Sequence, residues 1–531
     1  MTTSLAIKPS ILSVMGWYCA SVLITYLAAV AAYRILLHPL SKYPGPLAAK
    51  LTDAYSGFFA YRRRLHLTTW ENQQKYGSVV RQGPNKLVFN STRALKDIYR
   101  NDQMTKPKAY MAMGPDLTSY TVFTATDRHL HRARRQLIGQ VLTDRSMRAF
   151  EPTMIEQVDI YLRRLLADAR SSTPVNMTER SRQLGLDIAG LLGFGYDLTL
   201  QTEETNQFML TMLEAGTLWS SVFLQWPGAR RFRLGLILVR VFREFRGRYL
   251  SLIEQMIRQR TAMAKDAKHD LYSFVADALD DKSGGGLRQS DLWAESNLFL
   301  TAAGDTTKTA LSGVFFYLSR NPDAYRTLSA EIRHTFQSGN DIRGSALAGC
   351  RYLRACIDES LRLASPASGT LWRELGADND AEYHIVDGHV IPRGTVVGVN
   401  IYSIHHNPEY FPDPFSFRPE RWLDDDSEYS AEAKRAMVDA FTPFLTGARG
   451  CAGKTMAYME VGLVIARTLW YFDFEASPAP IGHVGGGNPA MGRGRHRLDE
   501  FQLYDVFTAL HDGPYLTFRS REGARFGDME I

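Results

Sequence analysis

A cysteine in a glycine-rich turn is the feature of this sequence best suited to chemistry. The stretch Phe444–Gly453 reads FLTGARGCAG, so Cys451 stands among glycines, directly before an apolar, helix-forming run from Lys454 to Phe474. Glycines let the backbone lie close to a flat group, and the free N–H groups of a helix start stabilise negative sulfur. The pattern predicts a thiolate that ligates a metal. A buried structural cysteine is the alternative for Cys451 alone, but it does not explain the surrounding residues.

This stretch resembles the haem-binding signature of the cytochromes P-450. The signature has the same residue types at the offsets of Phe444, Gly447, Arg449, Cys451 and Gly453. The resemblance implies that Cys451 is the axial ligand of a haem b iron and that the other four help to bind the cofactor. Arg449 suits a haem propionate, because a guanidinium pairs well with a carboxylate. A thiolate ligand makes haem iron electron-rich, which favours cleavage of an O–O bond.

A second motif combines an acid and two hydroxyls at the end of an apolar run. Leu298–Thr307 reads LFLTAAGDTT, and burying an acid beside an alcohol is costly unless both are satisfied or used. A threonine that bonds back to a helix carbonyl, beside a salt-bridged Asp305, is the structural explanation. The segment also resembles the oxygen-activation helix of the cytochromes P-450. That resemblance implies that Asp305 and Thr306 relay protons to dioxygen, although Ala303 stands where the family usually has glycine.

A third motif is Glu359-Ser-Leu-Arg362, which places an acid and a guanidinium on one helical face. A surface ion pair is the ordinary explanation of so short a pattern. Downstream, Arg421 lies in the stretch FRPERW, at the interval that the cytochromes P-450 show. The resemblance implies a buried network of Glu359, Arg362 and Arg421 behind the haem. Its role would be structural, namely to hold the cysteine loop.

Basic residues elsewhere are further candidates for the haem propionates. His131 and Arg135 stand one helical turn apart on the same side, which suits one carboxylate, and a solvated basic face is the alternative. The spacing resembles the propionate-binding helix of the family, and Arg373 matches another of its propionate-binding positions. Arg132 and Arg134 point elsewhere on that helix. We expect them to contribute to an electropositive face that meets an acidic reductase.

The N-terminus predicts a single transmembrane helix. No charged residue occurs from Pro9 to Tyr33, a run long enough at ~1.5 Å per residue to cross ~30 Å of hydrocarbon. A cleaved signal peptide is the alternative, but the run is longer than the usual ~7–15 residues. More basic residues follow the span than precede it, which places the remainder in the cytosol. We expect an anchor over residues 1–37 and a catalytic domain over 38–531, at the endoplasmic reticulum membrane.

Composition favours one large globular domain. Hydrophobic residues make up 45% and charged residues 22% of the chain, which leaves ample material for a core. The formal charge of +6 is small, and basic residues are not interleaved with aromatics, so we expect no nucleic-acid partner. The four cysteines form no C-x-x-C pair, so the sequence does not predict a disulfide framework. The histidine pairs lack the spacing of zinc ligands, so it does not predict a zinc site either.

The sequence also lacks the strand–turn–helix setting of a dinucleotide site, so electrons must come from another protein. The family resemblance, from about His38 to Arg519, implies the cytochrome P-450 fold, mainly α with small β-sheets. It also implies NADPH-cytochrome P-450 reductase as the electron donor, with cytochrome b5 as a further candidate. Long runs with helical periodicity in the middle of the chain agree with this fold.

The resemblance implies a haem-thiolate monooxygenase that hydroxylates or epoxidises a mid-sized hydrophobic molecule, such as a fungal polyketide or terpenoid. The segments that correspond to substrate contacts are mostly apolar with scattered hydroxyls, as such a molecule requires. They are Tyr110–Phe123, Leu298–Thr306, Pro366–Trp372 and Val506–His511. Two other readings remain open: a haem-thiolate isomerase, dehydratase or oxidative coupling enzyme, and a non-catalytic haem-binding membrane protein.

Overall fold

Helices form most of the molecule. The computed structural model describes residues 11–114, 120–232, 243–274, 289–424, 429–523 and 526. The α-helices span Ile11–Ala32, Leu47–Leu51, Ala54–Tyr61, Leu65–Tyr76, Thr92–Tyr99, Arg128–Val141, Asp144–Ser171, Met177–Phe194, Phe208–Gln225, Arg243–Thr261, Gln289–Arg320, Pro322–Thr335, Gly344–Ala348, Arg351–Leu363, Ile401–His405, Ala431–Ala440 and Lys454–Tyr471. Short 3₁₀ turns, such as Lys108–Met113 and Pro419–Trp422, connect several of them.

The strands are short and form small sheets at the edges of the helical body. They span Val79–Gly83, Lys86–Phe89, Met104–Thr105, Val175–Asn176, Glu374–Leu375, Tyr383–Val386, His389–Pro392, Val396–Val399, Phe472–Ala476 and Tyr515–Ser520. Lys86–Phe89 pairs antiparallel with Val79–Gly83 and parallel with Val396–Val399. Tyr515–Ser520 lies between Phe472–Ala476 and Val175–Asn176. The predicted fold class, mainly α with small β-sheets, is confirmed.

The helix Gln289–Arg320, which we call the central helix, is the longest in the described part of the chain. It packs against Met177–Phe194, Arg351–Leu363 and Lys454–Tyr471. The contact with Met177–Phe194 is close, because a Cβ added at Gly304 would lie 2.4 Å from Leu186 Cδ2. Only glycine permits that approach. Gly304 therefore serves helix packing.

The helix Lys454–Tyr471, which we call the cysteine helix, follows the glycine-rich turn. Its residues from Glu460 to Tyr471 are all buried, so its second half crosses the core. The strand Phe472–Ala476 continues directly from it and pairs with the strand Tyr515–Ser520. The cysteine turn is thus fixed at the start of one of the most deeply buried elements.

The N-terminal helix lies apart from this core. Val14–Leu37 forms an apolar helical stretch of 24 residues with a mean hydropathy of 1.8, and none of it is buried. Beyond Ala32 it continues as a π-helix over Tyr33–Leu37. By length and composition the helix can cross a membrane.

Candidate active site

The cysteine loop is a tight turn held by its own backbone. The N–H of Cys451 donates to the carbonyl of Phe444 at 2.8 Å, and the N–H of Gly450 donates to that of Gly447 at 2.9 Å. Gly447 has a φ of +77°, and a Cβ there would lie 1.9 Å from the carbonyl oxygen of Tyr99. Only glycine satisfies both conditions. The glycine expected from the motif is therefore required by the turn itself.

The Cys451 side chain is open to space on one side and enclosed by protein on the others. Burial raises the pKa of its thiol, whereas the N–H of Gly453 and the charges of Arg135 and Lys454 lower it. Each of these last three interactions favours the thiolate form. The open side leaves room for a partner of the sulfur, as a metal ligand needs.

Arg449 and Arg135 join the cysteine loop to the helix Arg128–Val141 and to the residues just before it. Arg449 donates to the carbonyl of Ala125 at 2.6 Å and to that of Thr126 at 3.2 Å. Arg135 donates to the carbonyl of Gly450 at 2.8 Å. Both guanidiniums have donors left over, because each carries five N–H groups.

Arg373, from another segment, and His131, on the same helix as Arg135, belong to the same group of basic residues. Arg373 is buried and donates to the carbonyl of Trp372 at 2.8 Å. Burial and the charges of Arg449, Lys106, Arg135 and Arg373 lower the pKa of His131 to about 3, so this imidazole is neutral. Within the described residues, no acid is among the charges that act on His131. The structure thus brings these basic groups together near the cysteine loop, an arrangement that favours binding of an anion.

The position of Arg134 differs from the one that the sequence predicted. It is buried, with Nη2 at 3.0 Å from Asp291 Oδ2 and Nη1 at 3.8 Å from Glu295 Oε1, both on the central helix. The prediction that Arg134 contributes to an exposed electropositive face is therefore wrong, whereas Arg132 is exposed. The reason is helical phase, because Arg134 follows His131 by three residues and shares its buried face.

Thr306 lies on the accessible side of the central helix. Its Oγ1 donates to the carbonyl of Ala302 at 2.6 Å. Ala302 is exposed and Thr306 partly exposed, whereas Asp305 and Thr307 are buried. The hydroxyl thus borders an open space while it is held back on its own helix.

Asp305 is 1% exposed and paired with two cations. Its Oδ1 lies 3.2 Å from Lys308 Nζ and 3.6 Å from Arg182 Nε. Its Oδ2 has no hydrogen-bond partner in the part of the chain that the structure describes. Arg182 also lies 3.8 Å from Glu214, whose side chain is 40% exposed. The acid therefore reaches solvent through Arg182 and Glu214 and not directly.

The Glu359 network is fully buried. Arg362 donates to both carboxylate oxygens of Glu359, at 2.7 and 2.9 Å. Arg421 donates to the same carboxylate at 3.2 Å and Trp422 at 3.0 Å. Arg362 also donates to the carbonyls of His405, Pro414 and Ser416, in the chain that leads to the cysteine loop. The three charges thus join one helix to a long irregular segment.

Glu460 is a buried acid that the sequence motifs did not single out. It lies on the cysteine helix and accepts a hydrogen bond of 3.3 Å from Thr307 on the central helix. Burial raises its pKa to about 8, so the carboxyl is protonated at neutral pH. Its spacing of nine residues from Cys451 was visible in the sequence, but its burial was not.

Comparison with known proteins settles the family. A family model described as "Cytochrome P450" matches residues 53–481. The chain belongs to the cytochrome P450 family. It is 34% identical over 509 residues to "Cytochrome P450 monooxygenase AKT7" of Alternaria alternata, covering 94% of this chain and 96% of the relative. It is 33% identical to "Cytochrome P450 monooxygenase apf7" of Gibberella fujikuroi (93% and 96% covered) and to "Cytochrome P450 monooxygenase poxM" of Penicillium oxalicum (93% of each).

Membership of the cytochrome P450 family implies a haem b with a cysteine ligand and a reaction that incorporates oxygen. The residues present fit that cofactor. The open side of Cys451 offers a ligand, and the basic groups around His131 match the two propionates of haem b in sign. Dioxygen, a small-molecule substrate and a redox partner are implied with the cofactor.

Proposed function

We propose that this cytochrome P450 monooxygenase hydroxylates or epoxidises a mid-sized hydrophobic molecule, a fungal secondary metabolite such as a polyketide or terpenoid. The observation that carries the site is the position of Cys451, open on one side, beside a group of basic side chains, all of which act on His131. We assign Cys451 as the axial haem ligand. Phe444, Gly447 and Gly453 shape its loop.

The propionates would be held by Arg449, Arg135, Arg373 and His131. The three guanidiniums supply charge and spare donors, and the neutral imidazole supplies one N–H. The haem, when bound, supplies the iron at which dioxygen is activated. The network of Glu359, Arg362 and Arg421 holds the segment that leads to the cysteine loop, and its role is structural.

Thr306 and Asp305 are the proton-delivery residues of this proposal. Thr306 borders the open space and can turn its hydroxyl from the Ala302 carbonyl towards a reacting oxygen atom. Asp305 would pass protons inward, and Arg182, which also contacts the partly exposed Glu214, would position its carboxylate at the end of a polar connection to the surface. Its ion pairs with Lys308 and Arg182 hold it in place between proton transfers.

The surroundings of the predicted substrate segments are apolar and aromatic. The rings of Tyr110, Phe123 and Phe507 lie 5.4 to 6.4 Å apart and join two of these segments. A small pocket lies between Gln225, Leu371 and Phe507. Residues 115–119 of the first segment lie outside the described residues. Such surroundings suit a hydrophobic molecule held by shape and a few hydrogen bonds.

We further propose NADPH-cytochrome P-450 reductase as the redox partner, with cytochrome b5 as a second electron donor. Residues 1–37 would anchor the protein in the endoplasmic reticulum membrane, with the catalytic domain, residues 38–531, in the cytosol. The exposed apolar helix over Val14–Leu37 supports this arrangement, as does the excess of basic residues after it.

The function can be tested by metabolite profiling of a deletion strain, followed by assay of the accumulated compound. Membranes that contain the protein and the reductase should convert that compound with NADPH and ¹⁸O₂, and one ¹⁸O atom should enter the product. Conversion without NADPH or without label would instead indicate an isomerase or dehydratase. NADPH-dependent joining of two substrates without label would indicate oxidative coupling. Haem binding without conversion of the compound would indicate a non-catalytic protein.

A further inference from the structure

A buried acid lines the small pocket beside the predicted substrate segments, and no sequence motif pointed to it. Asp505 is 5% exposed and directly precedes the segment Val506–His511. Gly369 and Ser221, from two other parts of the chain, line the same pocket. The fold thus places a carboxyl group within reach of a molecule that enters the pocket.

One oxygen of Asp505 is held by the backbone, and the other borders the pocket. Oδ1 accepts a hydrogen bond of 3.1 Å from the N–H of Phe507. Oδ2 lies 3.9 Å from His66 Nδ1, which is too far for a hydrogen bond. A Cβ added at Gly369 would lie 3.0 Å from Oδ2. Because Gly369 has no side chain, this oxygen is left uncovered on the pocket side.

No charged side chain balances this carboxyl group within the described residues. Burial raises the pKa of Asp505, whereas the backbone N–H groups of Phe507 and His66 lower it, and no cation acts on it. Burial and the charges of Arg495 and Arg64 put the pKa of His66 well below its ordinary value, so this imidazole is neutral. A buried acid that has lone pairs left over is stabilised by a hydrogen-bond donor that enters the pocket.

Two other buried acids have both oxygens occupied by the protein. Asp187 accepts backbone N–H groups with Oδ1 at 2.9 Å and with Oδ2 at 3.0 Å. Both oxygens of Glu359 accept from Arg362. Asp505 differs from these two because its second oxygen borders a pocket.

Phe507 connects this pocket to the aromatic side chains of the substrate segments. Its ring lies 6.4 Å from that of Tyr110 and 5.4 Å from that of Phe123. Its φ of +85° is uncommon for a residue with a side chain, and the hydrogen bond to Asp505 helps to hold it. A molecule that spans both regions would place a polar end at Asp505 and an apolar body along the rings.

We propose that Asp505 is a specificity-determining residue, which binds a hydroxyl or a protonated amine at one end of the hydrophobic substrate. This rests on the proposed function, because it concerns the substrate of that same reaction. The substrate donates its hydrogen to Oδ2, while the N–H of Phe507 keeps Oδ1 occupied. The substrate class is thereby narrowed to hydrophobic molecules that carry an O–H or N–H donor.

The experiment measures the dissociation constants of three probes by equilibrium dialysis against the ferric holoenzyme in phosphatidylcholine nanodiscs, with empty nanodiscs as the blank. Farnesol carries an O–H donor, farnesyl methyl ether carries no donor, and farnesylamine carries N–H donors on a cation at neutral pH. Wild type should bind farnesol or farnesylamine on the order of tenfold more tightly than the ether, the size of one hydrogen bond to a charged group. The tighter of the two identifies the kind of donor.

Asp505→Asn should bind farnesol and the ether about equally, and farnesylamine no more tightly than either. The N–H of Phe507 still needs an acceptor, so the new amide keeps its oxygen there and turns its NH₂ group towards the pocket. An ether oxygen accepts from that group as well as a hydroxyl does. Gly369→Ala keeps the charge but covers Oδ2 with a methyl group, so it should lose the preference too. Asp499→Asn is the matched control at an exposed site and should keep the preference.

Equal or undetectable binding of all three probes by wild type would overturn the proposal. A purely structural role predicts that Asp505→Asn weakens every probe by the same factor, and a preference that persists in this variant would also overturn it. If Asp505→Asn does not fold, the preference measured in Gly369→Ala decides. The carbon monoxide spectrum of each variant is recorded first. A wild-type protein without a thiolate-type band would contradict the proposed function, whereas a normal band without any preference among the probes would contradict only the role of Asp505.

Discussion

The hydroxyl of Thr306 donates a hydrogen bond of 2.6 Å to the carbonyl oxygen of Ala302, one helical turn earlier. This bond holds the proton of Thr306 within the central helix when no reaction takes place. Proton delivery therefore requires the hydroxyl to exchange one acceptor for another, which a rotation of χ1 can achieve. Asp305 stays fixed during that rotation by its contacts with Lys308 and Arg182.

Thr306→Ala should uncouple NADPH consumption from product formation. The haem spectrum and NADPH use should stay close to wild type, because the hydroxyl holds neither the haem nor the reductase. Product per NADPH should fall by about 10²-fold or more, since a positioned proton donor contributes about 10²–10⁴-fold. Hydrogen peroxide or superoxide should account for the difference. Thr306→Ser keeps the hydroxyl and should retain most of the coupling; equal coupling in wild type and Thr306→Ala would exclude Thr306 as the donor.

Glu359→Ala should abolish folding or haem retention. The substitution leaves Arg362 and Arg421 buried without their carboxylate, at a cost of roughly 3–5 kcal/mol. That cost is a large part of the usual stability of a folded protein. Glu409 is exposed, so Glu409→Ala serves as the control and should behave as wild type. Haem content per protein after purification gives the comparison. A stable Glu359→Ala protein with full haem content would show that the network is dispensable.

Glu460 should make stability depend on pH. Burial raises the pKa of Glu460 to about 8, above the ordinary value of 4.5, so folding favours its protonated form. The stability that it contributes is complete below pH ~4.5 and is lost as the pH rises towards 8. Glu460→Gln stays neutral throughout. Its unfolding free energy relative to wild type should therefore rise by about 1.4 kcal/mol per pH unit between pH 5 and 8, and then level off.

Denaturant titrations of wild type and Glu460→Gln at several pH values provide this measurement. Glu409→Gln, at the exposed site, should follow the wild-type curve at every pH. A constant difference between Glu460→Gln and wild type across the range would mean that Glu460 ionises normally in the folded protein.

Removal of residues 1–37 should weaken membrane attachment and leave the haem spectrum intact. The deleted helix is exposed and lies outside the core, so it cannot line the haem pocket. Alkaline extraction of membranes separates the two forms, because a spanning helix resists it. Some attachment should remain, since Phe58 and Tyr61 are exposed at more than half of their surface and Trp219 packs beside Tyr61. Loss of haem from the truncated protein would contradict a role in anchoring alone.

The sequence was sufficient for the fold class and for the residues whose spacing is local. Cys451 and its loop lie within ten residues, and Glu359 and Arg362 lie within one helical turn, so periodicity and motif spacing expose them. Lys308 could also have been found, because it follows Asp305 by three residues on the same helix.

Contacts between distant segments could not be predicted in this way. Arg182 reaches Asp305 from another helix, and the charge of Arg449 acts on Lys106 although more than three hundred residues of chain separate them. The other differences between prediction and structure come from side chains whose burial the sequence does not reveal. Arg134 stands in a basic run that suggests a surface, yet helical phase turns it towards two acids of the central helix. The acidity of Glu460 depends on desolvation, which no sequence pattern reports.

The central claim is that Cys451 carries the haem iron, and the carbon monoxide spectrum of the reduced protein tests it most directly. A thiolate ligand gives a strongly red-shifted absorption band, so wild type should show that band and Cys451→Ser should not. Cys350→Ala serves as the control, because that thiol is buried far along the chain from the turn and should leave the band unchanged. Loss of the band in Cys451→Ser alone is the result we predict. A Cys451→Ser protein that keeps the red-shifted band would contradict the account.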